Sequence, residues 1–146
     1  MPNKSFYDKD SKESYERYKK VQIEKWQARK FKRRALLEYA SISMIIKQHT
    51  SFDEKEIELI CLGARNNWER DTLVFYLTNT LGKNVTGFSL DMAPEAEVDY
   101  HFDFQNMPGE WTERFNIVYT NAADHSFDFE KAFSEWQRII KPGGYL

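Results

Sequence analysis

The last part of the chain, residues 115–146, reads FNIVYTNAADHSFDFEKAFSEWQRIIKPGGYL. It opens with a short apolar run at 115–120 that is typical of a buried strand. A helix is predicted at about 128–140, because apolar residues recur there at helical spacing; they are Ala132, Phe133, Trp136, Ile139 and Ile140. The Lys-Pro-Gly-Gly turn at 141–144 ends this helix, and Tyr145-Leu146 would open a further strand. The stretch therefore predicts a strand, a helix and a second strand in succession.

The same alternation extends backwards along the chain. Apolar runs predict strands at 57–62, 85–90 and 98–102, and leucines at helical spacing predict a helix at 67–81. Parallel strands need crossover connections, so this order indicates a parallel sheet with helices on both faces. We therefore predict an α/β, Rossmann-like doubly wound fold, in which ligands bind beyond the carboxyl ends of the strands. Polar residues predicted at that common edge are Gly63, Ser89, Asp103 and Asn121.

Composition favours a soluble globular protein. Of the 146 residues, 41% are hydrophobic and 30% are charged, enough for a packed core with a solvated surface. No apolar run approaches the roughly 20 residues of a membrane span, and the first residues lack the apolar core of a secretory signal. Cys61 is the single cysteine, which excludes an intramolecular disulfide. These observations favour a cytoplasmic location.

The N-terminal part is basic and differs in charge from the rest. Residues 1–48 hold 13 Lys and Arg against 6 Asp and Glu, whereas residues 49–146 hold 8 against 17. We interpret residues 1–49 as a basic amphipathic helical extension and residues 50–146 as a partial Rossmann-like domain. Aromatic residues among the cations of residues 12–34 suit stacking and phosphate contacts with single-stranded nucleic acid. They equally suit a basic helix that packs on its own acidic domain.

Four segments at the predicted strand ends form a recognisable pattern. Residues 60–67 (ICLGARNN) give a strand and a glycine-containing turn, and residues 85–91 (VTGFSLD) give a strand with polar residues at its end. Residues 101–108 (HFDFQNMP) combine an acid, an apolar residue and a Met-Pro turn, and residues 115–146 add an E-x-x-R helix and a K-P-G-G turn. Together they resemble class I S-adenosylmethionine-dependent methyltransferases, in the branch similar to the ubiquinone-type enzymes.

The resemblance implies S-adenosylmethionine as cofactor and suggests which residues hold it. In the family, the turn after the first strand wraps the methionine part of the cofactor. An acid after the second strand accepts from the ribose hydroxyls, and an acid after the third contacts the adenine amino group. The residues of this chain at these places are Leu62, Gly63, Ala64, Arg65 and Glu69; Ser89, Leu90 and Asp91; and Asp103 and Phe104, with Asn121 after the fourth strand.

Two of these places depart from the family pattern. The glycine-rich turn keeps one glycine, and Arg65 would crowd a cofactor lying on the backbone unless it pairs with a carboxylate. Glu69 or Cys61 replaces the usual acid of this motif. Ser89 stands where the ribose acid is expected, and Asp91 lies two residues on, facing the same side of an extended chain. A turn aspartate before Ala93-Pro94 is the alternative interpretation of Asp91.

No catalytic residue is predicted, because methyl transfer from a sulfonium depends on in-line positioning and a desolvated pocket more than on acid or base groups. His125 either faces the substrate as a base or bonds the backbone at a helix start. No spacing typical of a metal site joins it to His101, Asp103 or Asp124, so no metal is predicted. The sequence also has no P-loop motif for nucleotide phosphates.

Two hypotheses of function follow. The first is an S-adenosylmethionine-dependent methyltransferase acting on an unidentified acceptor. The alternative is an inactive methyltransferase-like binding or scaffold module, which could contact nucleic acid through its basic helix. The family's sheet continues for two more strands beyond the K-P-G-G turn. We therefore expect either a longer natural chain or a partner or second copy that covers the open edge.

Overall fold

The computed structural model describes Asp8 and residues 10–146. The helices are α1 (Lys12–Arg29), α2 (Leu36–His49), α3 (Trp68–Leu81) and α4 (Phe129–Ile139). The strands are β1 (Glu56–Leu62), β2 (Asn84–Leu90), β3 (Phe115–Thr120) and β4 (Ile140–Tyr145). Short 3₁₀ turns occupy Gly109–Trp111 and Ala123–His125. Crossing a membrane would take a longer and more apolar helix than any found within these residues.

The strands form one sheet in the order β2-β1-β3-β4, and all neighbouring pairs are parallel. The predicted parallel α/β sheet is thereby confirmed. Leu62, the last residue of β1, pairs with Leu90 of β2 and Thr120 of β3. Gly63 and Asn121, which follow β1 and β3, therefore lie at the same edge of the sheet. The winding direction changes between β1 and β3, where ligands bind in folds of this kind.

Both faces of the sheet are covered by helices because the inner strands are apolar on both sides. Along β1, Ile57, Leu59 and Cys61 belong to the core on one face, which also contains buried residues of α2 and α3. Ile60 and Leu62 belong to the core on the other face, which contains the buried residues of α4. This alternation follows from the two-residue period of a strand. It produces the doubly wound arrangement expected from the sequence.

The strand predicted at 98–102 is reduced to one bridge. Tyr100 forms an isolated parallel bridge with Leu90 at the free side of β2. The ladder does not continue, because the Asp99 carboxylate accepts from the Ser89 amide at 2.8 Å. That amide would otherwise donate to a backbone carbonyl of the added strand. The prediction of a full strand was therefore wrong.

The C-terminal strand begins earlier than predicted. β4 follows α4 directly at Ile140, so the 141–144 segment lies inside the strand. The pairing shifts register between Phe115–Ile140 and Ile117–Tyr145. The extra residues of β4 are accommodated by an irregularity in the ladder, as in a β-bulge.

The basic N-terminal segment contains two helices with a break between them. Asn66 Nδ2 donates to the Lys30 carbonyl at 2.7 Å, and Trp68 Nε1 donates to the Arg34 carbonyl at 3.3 Å. The Arg33 guanidinium lies over the Trp68 ring, 4.7 Å from its centroid. These contacts hold residues 30–35 against the start of α3 in a non-helical conformation. Residues 11–49 contain neither glycine nor proline, so no residue typical of a helix break marks this position.

The second helix, α2, packs on the domain through part of its apolar surface. Tyr39 and Ile46 are buried against β1 and α3. Ser43 Oγ lies 3.2 Å from Thr80 Oγ1, which joins α2 to α3. Other apolar residues of α2 remain substantially exposed; they are Leu36, Leu37, Met44 and Ile45.

Candidate functional site

A cleft lies at the carboxyl ends of β1 and β2, beneath α1. Including the space open to solvent, it amounts to about 640 Å³. Its lining from the sheet edge and the following loops comprises Gly63, Arg65, Leu90, Asp91, Met92, Phe102, Asp103, Phe104, Ala122 and His125. Its lining from α1 comprises Tyr18, Gln22, Lys25, Trp26 and Arg29, which we call the cleft face of α1.

The turn after β1 brings backbone close to the cleft. Gly63 has a φ of +63°, and a Cβ placed on it would lie 2.8 Å from Ala122 Cβ. Glycine is therefore required by both conformation and space. Ala64 then donates to the Leu90 carbonyl at 2.9 Å, which ties the turn to the end of β2. Arg65 also has a positive φ, 63°, which is uncommon for a residue with a side chain.

Asp91 is the acid that the structure brings to the end of β2. Its Oδ2 accepts from the Arg65 amide at 3.0 Å and its Oδ1 from the Ala93 amide at 2.9 Å. Burial raises the pKa of its carboxyl, and the two amide hydrogen bonds act in the opposite direction. A carboxylate can accept about four hydrogen bonds, so Asp91 retains the capacity to accept from ligand hydroxyls.

Ser89, the other candidate at this position, does not line the cleft. Its side chain is completely buried. Its Oγ donates to Asn67 Oδ1 at 2.6 Å and lies 3.1 Å from Asp99 Oδ2. Ser89 therefore joins β2 to the loop before α3. Of the two candidates, only Asp91 lines the cleft.

Asp103 and Phe104 lie together in the cleft wall. Asp103 Oδ1 accepts from the Gln105 amide at 3.0 Å, and its Oδ2 accepts from the Tyr15 hydroxyl of α1. Phe104 is buried against Trp136 of α4, with ring centroids 5.3 Å apart in an edge arrangement. The Trp136 indole also donates to the Phe104 carbonyl at 3.2 Å. These contacts fix an acid beside an aromatic ring.

Glu69 and Asn121 form a separate buried cluster below the cleft. Glu69, in the first turn of α3, is 7% exposed. Its Oε1 accepts from Asn121 Nδ2 and, at 3.4 Å, from the Tyr39 hydroxyl, whereas Oε2 has no partner among the described residues. Burial raises the pKa of Glu69 to about 7. Like Ser89, four other predicted cofactor-binding residues lie outside the cleft lining; they are Leu62, Ala64, Glu69 and Asn121.

The cleft face of α1 was missed by the sequence analysis. Tyr18, Gln22 and Trp26 recur at intervals of four residues, which places them on one side of a helix. Tyr18 packs on Phe127, with ring centroids 5.3 Å apart. Trp26 Nε1 donates to the Arg65 carbonyl at 2.8 Å. The helix is thereby fastened across the cleft, and this spacing was the available signal.

His125 lies near three cations, two on α1 and one in the turn after β1. Its pKa is lowered by burial, and also by the positive charges of Lys25, Arg29 and Arg65, although the neighbouring Asp124 opposes them. Its Nε2 lies 3.7 Å from Asp124 Oδ1. The imidazole is therefore uncharged at neutral pH.

The positions of the acidic, histidine and aromatic side chains can be compared with the metal and nucleic-acid interpretations. Within Asp8 and residues 10–146, no three His, Cys, Asp or Glu side chains are grouped so as to hold a metal ion. Tyr18 and Trp26 are 2% and 8% exposed, so their rings cannot stack on bases in this conformation. The structure therefore gives no support to nucleic-acid binding through these aromatic residues.

The residue types of the cleft fit an adenosine-containing ligand. Asp91 and Asp103 supply acceptors for hydroxyl and amino groups. Phe104 offers an apolar surface for a ring, and Gly63 allows close approach to the backbone. These features suit the adenosine part of S-adenosylmethionine by their hydrogen-bonding and apolar chemistry.

Comparison with known proteins bears on the fold. No protein-family model matches the chain, and no curated protein matches it significantly. Among solved structures, the CurJ carbon methyltransferase aligns with a TM-score of 0.58 and 12% identity, over 80% of this chain and 36% of that one. A candidate S-adenosyl-L-methionine-dependent methyltransferase from Methanococcus maripaludis aligns with a TM-score of 0.51 and 17% identity, over 99% of this chain and 64% of that one. The chain thus spans less than two thirds of either structure.

At these identities the likeness shows the fold alone, and that fold is the one found in class I S-adenosylmethionine-dependent methyltransferases. The finer likeness to ubiquinone-type enzymes is not confirmed by either structure.

Proposed function

We propose that this chain binds S-adenosylmethionine in the cleft and takes part in methyl transfer to an acceptor. The observation that carries the proposal is the placement of Asp91 and Asp103 in one cleft at the carboxyl edge of a methyltransferase-like sheet. The division into a basic helical extension (residues 1–49) and a Rossmann-like part (residues 50–146) belongs to the same proposal.

Four residues of the cleft hold the cofactor in this proposal. Asp91 accepts from the ribose hydroxyls, and Asp103 accepts from the adenine amino group while Phe104 covers one side of the ring. Gly63 lets the ligand lie against the turn after β1. The bound cofactor supplies an electrophilic methyl group on a sulfonium.

The protein contributes positioning and exclusion of water. Tyr18 and Trp26 of α1 close one side of the cleft with buried aromatic surface. A covered cleft holds the reacting groups in line and keeps water away from them. His125, uncharged at neutral pH, can accept a proton from an acceptor that must lose one.

One observation favours the alternative of a binding module without turnover. The Tyr15 hydroxyl already donates to Asp103, and the Arg65 side chain lines the cleft. Both groups narrow the space available to an adenosine. In that case the cleft would take a different ligand, and S-adenosylmethionine would not bind.

A titration with S-adenosylmethionine by isothermal calorimetry tests the proposal. The variant Asp103→Asn keeps an oxygen for the Gln105 amide, and its amide nitrogen can donate to the Tyr15 hydroxyl. It loses one acceptor for the adenine amino group. We expect its affinity to fall by about 1–3 kcal/mol. Asp53→Asn, at an exposed position, is the matched control and should bind like wild type.

Two results would contradict the proposal at different levels. If folded wild-type protein gives neither heat nor a thermal shift with S-adenosylmethionine, the cofactor assignment fails, because a bound ligand must stabilise the fold. If Asp103→Asn binds as tightly as wild type, the adenine contact is wrong and the cofactor assignment survives.

A further inference from the structure

One end of the cleft carries cations without counterions. Lys25 and Arg29 lie on the cleft face of α1, and Arg65 follows the turn after β1. We call these three residues the cation set. Within the described part of the chain, none of them forms an ion pair. Lys25 and Arg29 are exposed to solvent, so a ligand entering the cleft can reach them.

The three positive charges of the cation set all act on His125. All three contribute to the lowered pKa of His125, which lines the same cleft. The acidic groups nearby compensate only part of this charge. Asp124 is largely exposed beside His125. The carboxyl groups of Asp91 and Glu69 interact electrostatically with Arg65. Lys25 and Arg29 therefore supply most of the uncompensated charge.

The conformation of Arg65 is a second, independent observation. Its φ of 63° lies in the left-handed region, where a residue with a long side chain is strained. Arg65 lines the cleft and follows Gly63, which also has a positive φ. Strained backbone at a cleft is a common feature of binding sites.

Lys25 and Arg29 lie far from the adenine end of the cleft. Tyr15, which donates to Asp103, precedes Lys25 by ten residues and Arg29 by fourteen on the same helix. At a rise of about 1.5 Å per residue these intervals correspond to about 15 and 21 Å. Lys25 and Arg29 are therefore too far from an adenosine held at Asp103 to contact its adenine. They would contact another part of the bound molecules.

We propose that the cation set binds an anionic group, a carboxylate or a phosphate, of a small-molecule methyl acceptor. This inference rests on the proposed function and deepens it by naming the acceptor's chemical class. Arg29 and Arg65 can bind such a group in a bidentate manner, and Lys25 adds a point charge. A small molecule suits the concave, partly covered cleft better than a polymer, because the aromatic residues of α1 are buried.

The test is a calorimetric titration with inorganic phosphate and, separately, with succinate at low ionic strength. The variant pair Lys25→Gln and Arg29→Gln removes two charges from the cleft. Lys12→Gln with Lys20→Gln removes two charges from exposed positions of α1 outside the cleft and is the matched control. We expect the cleft pair to weaken binding of at least one anion by about tenfold or more, as for loss of charged hydrogen bonds. The control should stay within about twofold of wild type.

Further arms separate the acceptor from the cofactor. S-Adenosylmethionine carries a carboxylate, whereas methylthioadenosine lacks the amino-acid part. If the cleft pair weakens S-adenosylmethionine binding and leaves methylthioadenosine binding unchanged, the cation set binds the cofactor's carboxylate and the inference is overturned. Equal anion affinity in wild type and the cleft pair, or no anion binding by wild type at about 10 mM, also overturns it. Anion binding that depends on the cation set, without any S-adenosylmethionine binding, refutes the proposed methyl transfer and retains the anion site.

Discussion

Replacement of Glu69 by glutamine tests the buried cluster below the cleft. Burial raises the pKa of Glu69 to about 7 from an ordinary value of 4.5, so between these values the folded protein holds a proton that the unfolded chain has released. Its contribution to stability is fully present below pH 4.5 and is lost as the pH rises through 7. At about 1.4 kcal/mol per pH unit, this interval corresponds to roughly 3 kcal/mol.

The variant Glu69→Gln cannot ionise, and its amide oxygen can still accept from Asn121 and Tyr39. We therefore expect wild type to lose about 3 kcal/mol relative to Glu69→Gln between pH 4.5 and pH 8. Urea unfolding followed by tryptophan fluorescence at both pH values measures this difference. Glu95→Gln, at an exposed position, is the control, and its difference from wild type should stay within about 0.5 kcal/mol. A difference between wild type and Glu69→Gln that does not change with pH would refute the argument.

Three further substitutions separate structural residues from binding residues. Gly63→Ala should destabilise the fold by about 1–3 kcal/mol in thermal unfolding, because its φ is positive and its Cβ would crowd Ala122; unchanged stability would contradict the described turn. Ser89→Ala should cost about 1–3 kcal/mol through its buried hydrogen bonds but leave S-adenosylmethionine affinity within about twofold; a large loss of affinity in calorimetry would place Ser89 in the cleft after all. Trp26→Phe removes the hydrogen bond to the Arg65 carbonyl and should cost about 0.5–1.5 kcal/mol while increasing hydrogen exchange in α1. If exchange in α1 is unchanged, that bond does not fasten the helix.

The elements of the sheet could be predicted because their signals are local. The runs of apolar residues at 57–62, 85–90 and 115–120 correspond to β1, β2 and β3, with bounds that differ by one residue at most. The sequence of residues 98–102 contains no signal that argues against a strand. Its ladder ends because the Asp99 carboxylate accepts from the Ser89 amide, and this contact depends on how two segments meet.

The candidate site was predictable to the extent that strand ends determine it. Asp91 and Asp103 reach the cleft because they follow segments aligned at one edge of the sheet. Ser89 does not, because its side chain binds inside the fold. The position of α1 over the cleft could not be predicted, for a different reason. Residue spacing defines a helix face, but it does not reveal the surface on which that face packs.

The attachment of α1 has a consequence for how the binding site could be altered. This helix shares no strand ladder with the sheet, and the side-chain contacts described include Tyr15 to Asp103 and Trp26 to the Arg65 carbonyl. Substitutions between those two anchors, as at Gln22, change the chemistry facing the ligand without disturbing any backbone pairing of the domain. Ligand selectivity can therefore diverge, in evolution or by engineering, through one helix while the sheet is inherited unchanged.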